Sequence, residues 1–222
     1  MSYFITGTDT GVGKTLISCA LLHAFAAQGQ RVVGMKPVAV GCDDDGHNQD
    51  ARQLQAASNV LVCYGQINPY SFLDPIAPHI AARNSGVNID FARILTSYHE
   101  LASQADIVII EGTGGFRVPL NNNQDIADLA LQLNLPVILV VGMRLGCLNH
   151  ALLTASAIET CGLKCAGWVA NVLSTDMLAV QDNIVALQQR LTAPLIGVIP
   201  SQSQPDARLM ALQIKLELLE EI

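Results

Sequence analysis

Short runs of β-branched and other apolar residues alternate with longer stretches in which apolar positions recur at helical spacing. Runs at 3–6, 31–36, 106–111, 136–142, 164–171 and 194–200 predict strands. Stretches at 14–28, 90–103, 126–133, 149–161, 176–191 and 205–221 predict helices. The runs DIVIIE (106–111) and PVILVVG (136–142) are continuously apolar in place of alternating, which is the pattern of a parallel sheet covered on both faces. Right-handed crossovers then give a three-layer α/β/α domain with a mostly parallel sheet. Two stretches, 41–48 (GCDDDGHN) and 68–78 with Pro69, Pro75 and Pro78, are loop-rich. They read as an insertion over the sheet edge within one domain spanning 1–222, with no internal repeat and no low-complexity segment.

Composition narrows the class. The chain has 222 residues, of which 50% are hydrophobic and only 14% charged, so it is globular and not a disordered tail. A globule of this size buries roughly 70% of its unfolded surface. The formal charge is −7, which disfavours a nucleic-acid surface or a polybasic membrane patch, because both need clustered positive charge. It leaves room for a small anion held by a few lysines. Residues 1–7 lack the basic and apolar stretches of a secretory signal, and no apolar run reaches the length of a membrane span, so a cytoplasmic location is expected. Six cysteines (19, 42, 63, 147, 161 and 165) contain no Cys-x-x-Cys and read as reduced thiols, not as disulfides or a zinc site.

The segment GTDTGVGKT (7–15) follows the first predicted strand and opens the first predicted helix. That is the context of a phosphate-binding P-loop, in which backbone N–H groups and a helix N-terminus face an anion. Lys14 can reach the β- and γ-phosphates, and Thr15 can place its hydroxyl on Mg²⁺. The spacing is one residue longer than the ordinary pattern: the first glycine is expected at 8, but Thr8 stands there and Gly7 precedes it.

Other predicted strand ends carry compatible chemistry, since ligands of open α/β sheets sit at the carboxyl ends of the strands. Glu111 closes DIVIIE and is followed by Gly112, Thr113, Gly114 and Gly115; an acid there suits Mg²⁺ beside phosphate, the alternative being a solvated loop acid. Asp50 precedes a helical stretch and on its own reads as a helix N-cap. Asn171 ends a strand, where its amide can meet adenine or simply form a turn. Lys36 is one of four lysines (14, 36, 164 and 215) and ends the second strand. Facing a phosphate or substrate anion would repay its desolvation; snorkelling at the sheet rim is the other reading.

Taken together, these motifs resemble the dethiobiotin synthetases. The residues that carry the resemblance are GTDTGVGKT (7–15), KPVAVG (36–41), NQDA (48–51), NPY (68–70), PH (78–79), EGTGG (111–115), PVILVVG (136–142), RLGCLNHALLT (144–154), GWVAN (167–171) and IP (199–200). The resemblance implies a P-loop NTPase-like homodimer that converts 7,8-diaminononanoate, CO2 and MgATP into dethiobiotin, ADP and phosphate. One amine would capture CO2 as a carbamate, which attacks the γ-phosphate. The second amine would then close the ureido ring. It further implies catalytic roles for Lys36, Lys14 and Thr10, and Mg²⁺ held by Thr15, Asp50 and Glu111. Nucleotide contacts would run along Gly11, Val12, Gly13, Lys14, Thr15 and Leu16, along Gly112, Thr113 and Gly114, and at Asn171, Val172, Pro200, Ser201 and Gln202. Substrate would meet Val40 and, across the dimer, the helix start Gly146, Cys147, Leu148 and Asn149. Many members carry Glu at the position of Gly11 and Ser at that of Val40.

A partitioning-type P-loop ATPase is the principal alternative, but such switches carry a second lysine five residues before Lys14, where this chain has Asp9. A catalytically impaired ATP-binding homologue is the other; it predicts nucleotide binding without turnover.

Overall fold

The computed structural model describes residues 2–220. The strands are β1 (Ser2–Gly7), β2 (Val32–Met35), β3 (Val38–Val40), β4 (Tyr70–Phe72), β5 (Ile107–Glu111), β6 (Val137–Met143), β7 (Cys165–Val172) and β8 (Leu195–Ile199). The helices are α1 (Lys14–Ala27), α2 (Gln49–Ala57), α3 (Tyr64–Ile67), α4 (Pro78–Asn84), α5 (Phe91–Gln104), α6 (Ile126–Leu133), α7 (Cys147–Thr160), α8 (Val180–Gln188), α9 (Ala207–Ala211) and α10 (Glu217–Glu220).

Six strands form one sheet in the order β2-β5-β1-β6-β7-β8, every pair parallel. Successive residues of β1, β5 and β6 alternate between the cores on the two faces of the sheet. Tyr3 and Ile5 of β1, Ile107 and Ile109 of β5, and Ile138 and Val140 of β6 face one layer with α1, α2 and the C-terminal helices. Phe4, Val108 and Ile110 face the opposite layer with α5 and α6. Leu139 and Val141 do the same with α7 and α8. Burial on both sides is why these strands are uniformly apolar in sequence. This is the expected three-layer α/β/α architecture. Among the described residues, no helix is long and apolar enough to cross a membrane.

Three expectations are corrected. The loop-rich stretch 68–78 is not wholly irregular: it holds β4, which pairs with β3, just before the 41–48 loop, in a separate two-stranded parallel sheet, and their residues Val38, Tyr70 and Phe72 are buried in the core of the α5 layer. The helix predicted at 176–191 starts only at Val180, after Ala179 adopts a left-handed conformation with φ 52°. The closing helix predicted at 205–221 is broken into α9 and α10, because between them the Lys215 N–H donates to Ile196 O of β8 at 2.8 Å and draws the chain back to the sheet. Residue 221 of that prediction lies outside the described residues.

Candidate functional site

The order β2-β5-β1 determines what meets at the carboxyl edge of the sheet. Lys36 follows β2, Glu111 ends β5, and the phosphate loop leaves β1, so one carboxylate stands between two lysines. All strands point the same way, but the chain builds outwards from β1 to β2 and β5 on one side and to β6, β7 and β8 on the other, and such folds place their ligands at that switch of strand order.

The loop is held in shape from below. Val12 is fully buried, and its carbonyl accepts from the Asn171 amide, Nδ2, at 2.8 Å. Gly13 has φ 89°, and a Cβ there would meet Asn171 Nδ2 at 2.1 Å, so no other residue fits. Gly11 also has φ 72°, but open space surrounds it; a larger residue would meet backbone strain and no clash. Lys14 begins α1, is 7% exposed and donates from Nζ to Asp9 O at 3.0 Å. Burial, and then the neighbouring Lys36 charge, push its ammonium down from 10.5 to about 8.

Lys36 is buried, not snorkelling. Its Nζ lies 2.6 Å from Glu111 Oε1, 3.2 Å from Asp50 Oδ2 and 3.4 Å from Gly112 O. Burial disfavours this ammonium, yet the Glu111 and Asp50 carboxylates outweigh that and hold it above its ordinary value. The Thr15 hydroxyl donates to Glu111 Oε1 at 2.9 Å. The Lys36 backbone is pinned as well: its N–H donates to Ile67 O at 2.8 Å, and its carbonyl accepts from Asn68 Nδ2 at 2.7 Å. The same amide donates to Tyr70 O at 2.9 Å.

Asp50 is not the helix cap. Asn48 is: its Oδ1 accepts from the N–H groups of Asp50 and Ala51, and its Nδ2 donates to Val40 O at 3.2 Å. Capping by Asn48 leaves the Asp50 carboxylate in the first turn of α2, free to face Lys36. Asn48 and Asn68 are the residues that sequence reasoning passed over. Both lie within quoted motifs, and an Asn immediately before a helical stretch was itself a cap signal.

These groups border a single cavity of about 450 Å³. Of the expected site residues, it gathers Thr10, Gly11, Gly13, Lys14, Thr15, Lys36, Val40, Asp50, Glu111, Thr113 and Gly114, and adds Asn48 and Pro75. The Thr113 hydroxyl is already engaged by Val38 O, which ties the turn after β5 to β3. Asn171, Val172, Pro200, Ser201 and Gln202 lie apart from the cavity wall, at the ends of β7 and β8; Asn171 pairs in register with Ile199, and the Ser201 hydroxyl reaches Leu173 O. Gly112 also lies off the cavity wall, as does Leu16 on the first turn of α1.

Gly146, Cys147, Leu148 and Asn149 form the start of α7, likewise outside the cavity. Cys147 is 2% exposed in the core beneath α7, so its thiol is not presented to a ligand. Arg144, in the preceding turn, pairs with Asp9 of the phosphate loop and links the two regions.

The donor set fits Mg²⁺. Glu111 Oε2 is buried without a hydrogen-bond partner among the described residues, beside the Thr15 hydroxyl and the Asp50 carboxylate, all hard oxygens. Among the described residues no three or more His, Cys, Asp or Glu are grouped so that they could hold a metal ion by themselves; Mg²⁺ bound to phosphate needs only one or two carboxylates.

A family model described as an AAA domain matches residues 1–208. The chain is 55% identical over 206 residues to the ATP-dependent dethiobiotin synthetase of Nitrosospira multiformis, covering 93% of this chain and 91% of that one. It is 50% identical over 218 residues to the ATP-dependent dethiobiotin synthetase of Aromatoleum aromaticum, covering 97% of each. Among solved structures it resembles the cell division ATPase MinD of Pyrococcus furiosus (TM-score 0.60, 16% identity, 99% of this chain and 98% of that one). The MinD cell division protein of Aquifex aeolicus is similar at TM-score 0.58 and 16% identity over 100% and 98% of the chains. Likeness at that identity is one of fold alone.

Proposed function

The chain belongs to the ATP-dependent dethiobiotin synthetase family, and on that premise we propose that the cavity at the β1 turn closes a ureido ring on 7,8-diaminononanoate with CO2, ATP going to ADP and phosphate. It is an ATP-dependent ligase with small-molecule substrates. The observation that carries the assignment of roles is the alternation Lys36–Glu111–Thr15 beside Lys14 in one cavity.

One amine of the diamine takes CO2 as a carbamate and releases a proton. The carbamate oxygen attacks the γ-phosphorus and ADP leaves, giving a carbamic–phosphoric anhydride. The second amine attacks its carbonyl carbon, the ring closes and phosphate departs. The protein's part is positioning and charge neutralisation. Lys14 and the N–H groups of the loop bind the phosphates. Thr10, on the cavity wall, donates to the reacting region. Lys36 meets the negative charge shared by the carbamate and the γ-phosphate. Thr15, Asp50 and Glu111 would hold Mg²⁺, which when bound neutralises phosphate charge. Adenine is assigned to the β7 and β8 ends around Asn171, Ser201 and Gln202, which adjoin one another.

A homodimer is proposed for the carboxylate tail, received by the N-terminus of α7 from a second copy. Beside α7, Leu145 is 99% and Leu178 88% exposed on a groove of about 480 Å³, an apolar surface that a second chain would cover. A cytoplasmic location suits a biosynthetic enzyme with free thiols at all six cysteines.

The test is direct. Incubation with diaminononanoate, bicarbonate and MgATP should yield dethiobiotin and phosphate in equal amounts; phosphate release indifferent to the diamine would count against the assignment.

A further inference from the structure

We infer that Lys36 keeps the metal site closed until nucleotide arrives: its ammonium occupies Glu111 and Asp50, so the divalent cation enters together with the nucleotide and not before it. The inference rests on the reading that Thr15, Asp50 and Glu111 are the cation ligands.

Lys36 is 4% exposed and Glu111 1%. At 2.6 Å and 3.2 Å, the single ammonium contacts both carboxylates at once. The lysine backbone is fixed on both sides by Ile67 and Asn68, so the ammonium can leave the carboxylates only by rotation of its own side chain. The two buried lysines and the two carboxylates already balance in charge. A bare divalent cation would add two positive charges to that neutral cluster, of which only Asp50 is part-exposed, next to two buried ammoniums, at an electrostatic cost. A cation already carried on a polyphosphate arrives with net negative charge, which Lys14, the loop N–H groups and the α1 N-terminus are placed to accept. Glu111 Oε2, the buried oxygen with no hydrogen-bond partner among the described residues, is the ligand atom that stays available.

The probe is Mn²⁺, with free ion followed by electron paramagnetic resonance on the full chain at neutral pH. After subtraction of the Mn²⁺ held by ADP alone in a protein-free control, wild type should bind Mn²⁺ at least about a hundredfold more weakly without ADP than with it. K36M should bind Mn²⁺ without nucleotide at least about tenfold more tightly than wild type. K36Q, which keeps a hydrogen-bond donor for Glu111, repeats the measurement should K36M not fold. Wild type binding Mn²⁺ equally well with and without ADP, or a folded neutral variant showing no gain, overturns the inference. E111Q separates the two levels: if it leaves Mn²⁺ binding in the presence of ADP unchanged, the ligand assignment itself is wrong.

Discussion

Asn68 is the strongest single test of how the scaffold holds the catalytic lysine. Its side chain is 4% exposed, and its amide is the donor to two buried carbonyls, those of Lys36 and Tyr70. Asn68→Ala removes both bonds: stranding the Lys36 oxygen costs about 1–3 kcal/mol, and the Tyr70 oxygen, which sits in the β3–β4 ladder, loses a bond worth about 0.5–1.5 kcal/mol. Some water entry into the vacated space offsets part of the sum, so the expected loss is about 3 kcal/mol. With a urea m-value of about 3 kcal/mol/M for a chain of this size, the midpoint should fall by about 1 M with the slope unchanged. Turnover should drop more than nucleotide affinity, because Asn68 holds the Lys36 backbone while Lys14 stands on the separate β1–α1 turn. The assays are urea unfolding by circular dichroism and steady-state kinetics with ATP and the diamine both varied. A midpoint shift below about 0.3 M together with unchanged kcat would refute the argument that this amide positions the lysine.

Lys36→Ala should abolish turnover, with ATP binding retained by calorimetry; retained activity would remove the lysine from the chemistry. Lys14→Ala should weaken nucleotide binding by at least about tenfold, as expected for a lost charge-assisted contact. Val40→Ser places a hydroxyl on the cavity wall and should lower KM for the diamine by up to about tenfold, the worth of one net hydrogen bond, with kcat little changed. The pH dependence follows from Lys14: its folded-state value of about 8 lies below the ordinary 10.5, so the fold disfavours the charged form. That cost is fully present below pH 8 and is relieved as pH rises from about 8 towards 10.5. Bound phosphate reverses the preference, so nucleotide binding near pH 8 should take up protons, measurable by calorimetry in buffers of different ionisation heat.

The sheet was legible because its strands are buried on both faces, and the phosphate loop because Gly13-Lys14-Thr15 sits between a strand and a helix. Lys36 and Glu111 could each be singled out, but not their contact. They are 75 residues apart, and their meeting depends on the strand order, which local pattern does not encode. β3 and β4 escaped because they have three residues each, too few to show a period, and lie beside Pro37 and Pro69. Asn48 and Asp50 are both capable caps; only the structure shows which oxygen accepts the α2 N–H groups. The break between α9 and α10 rests on one tertiary bond, from Lys215 to β8, which overrides a run of good helix formers.

That dependence on strand order explains how so few charges suffice. Because β5 inserts between β2 and β1, Glu111 is delivered between Lys36 and Lys14 without any loop having to reach for it. Two buried ammoniums side by side would otherwise repel, and Lys14 is depressed first by burial and then by that residual repulsion. The intervening acid, assisted by Asp50 from α2, lowers the cost enough for both cations to be kept at one sheet edge. An anionic nucleotide that carries its own cation then enters a site whose charges already balance and whose geometry is set by the backbone. Reversing the charge between the lysines, as in Glu111→Lys, should unfold the edge and not merely silence it, because three ammoniums would then face Asp50 alone, a distinction that near-ultraviolet circular dichroism of the variant would draw.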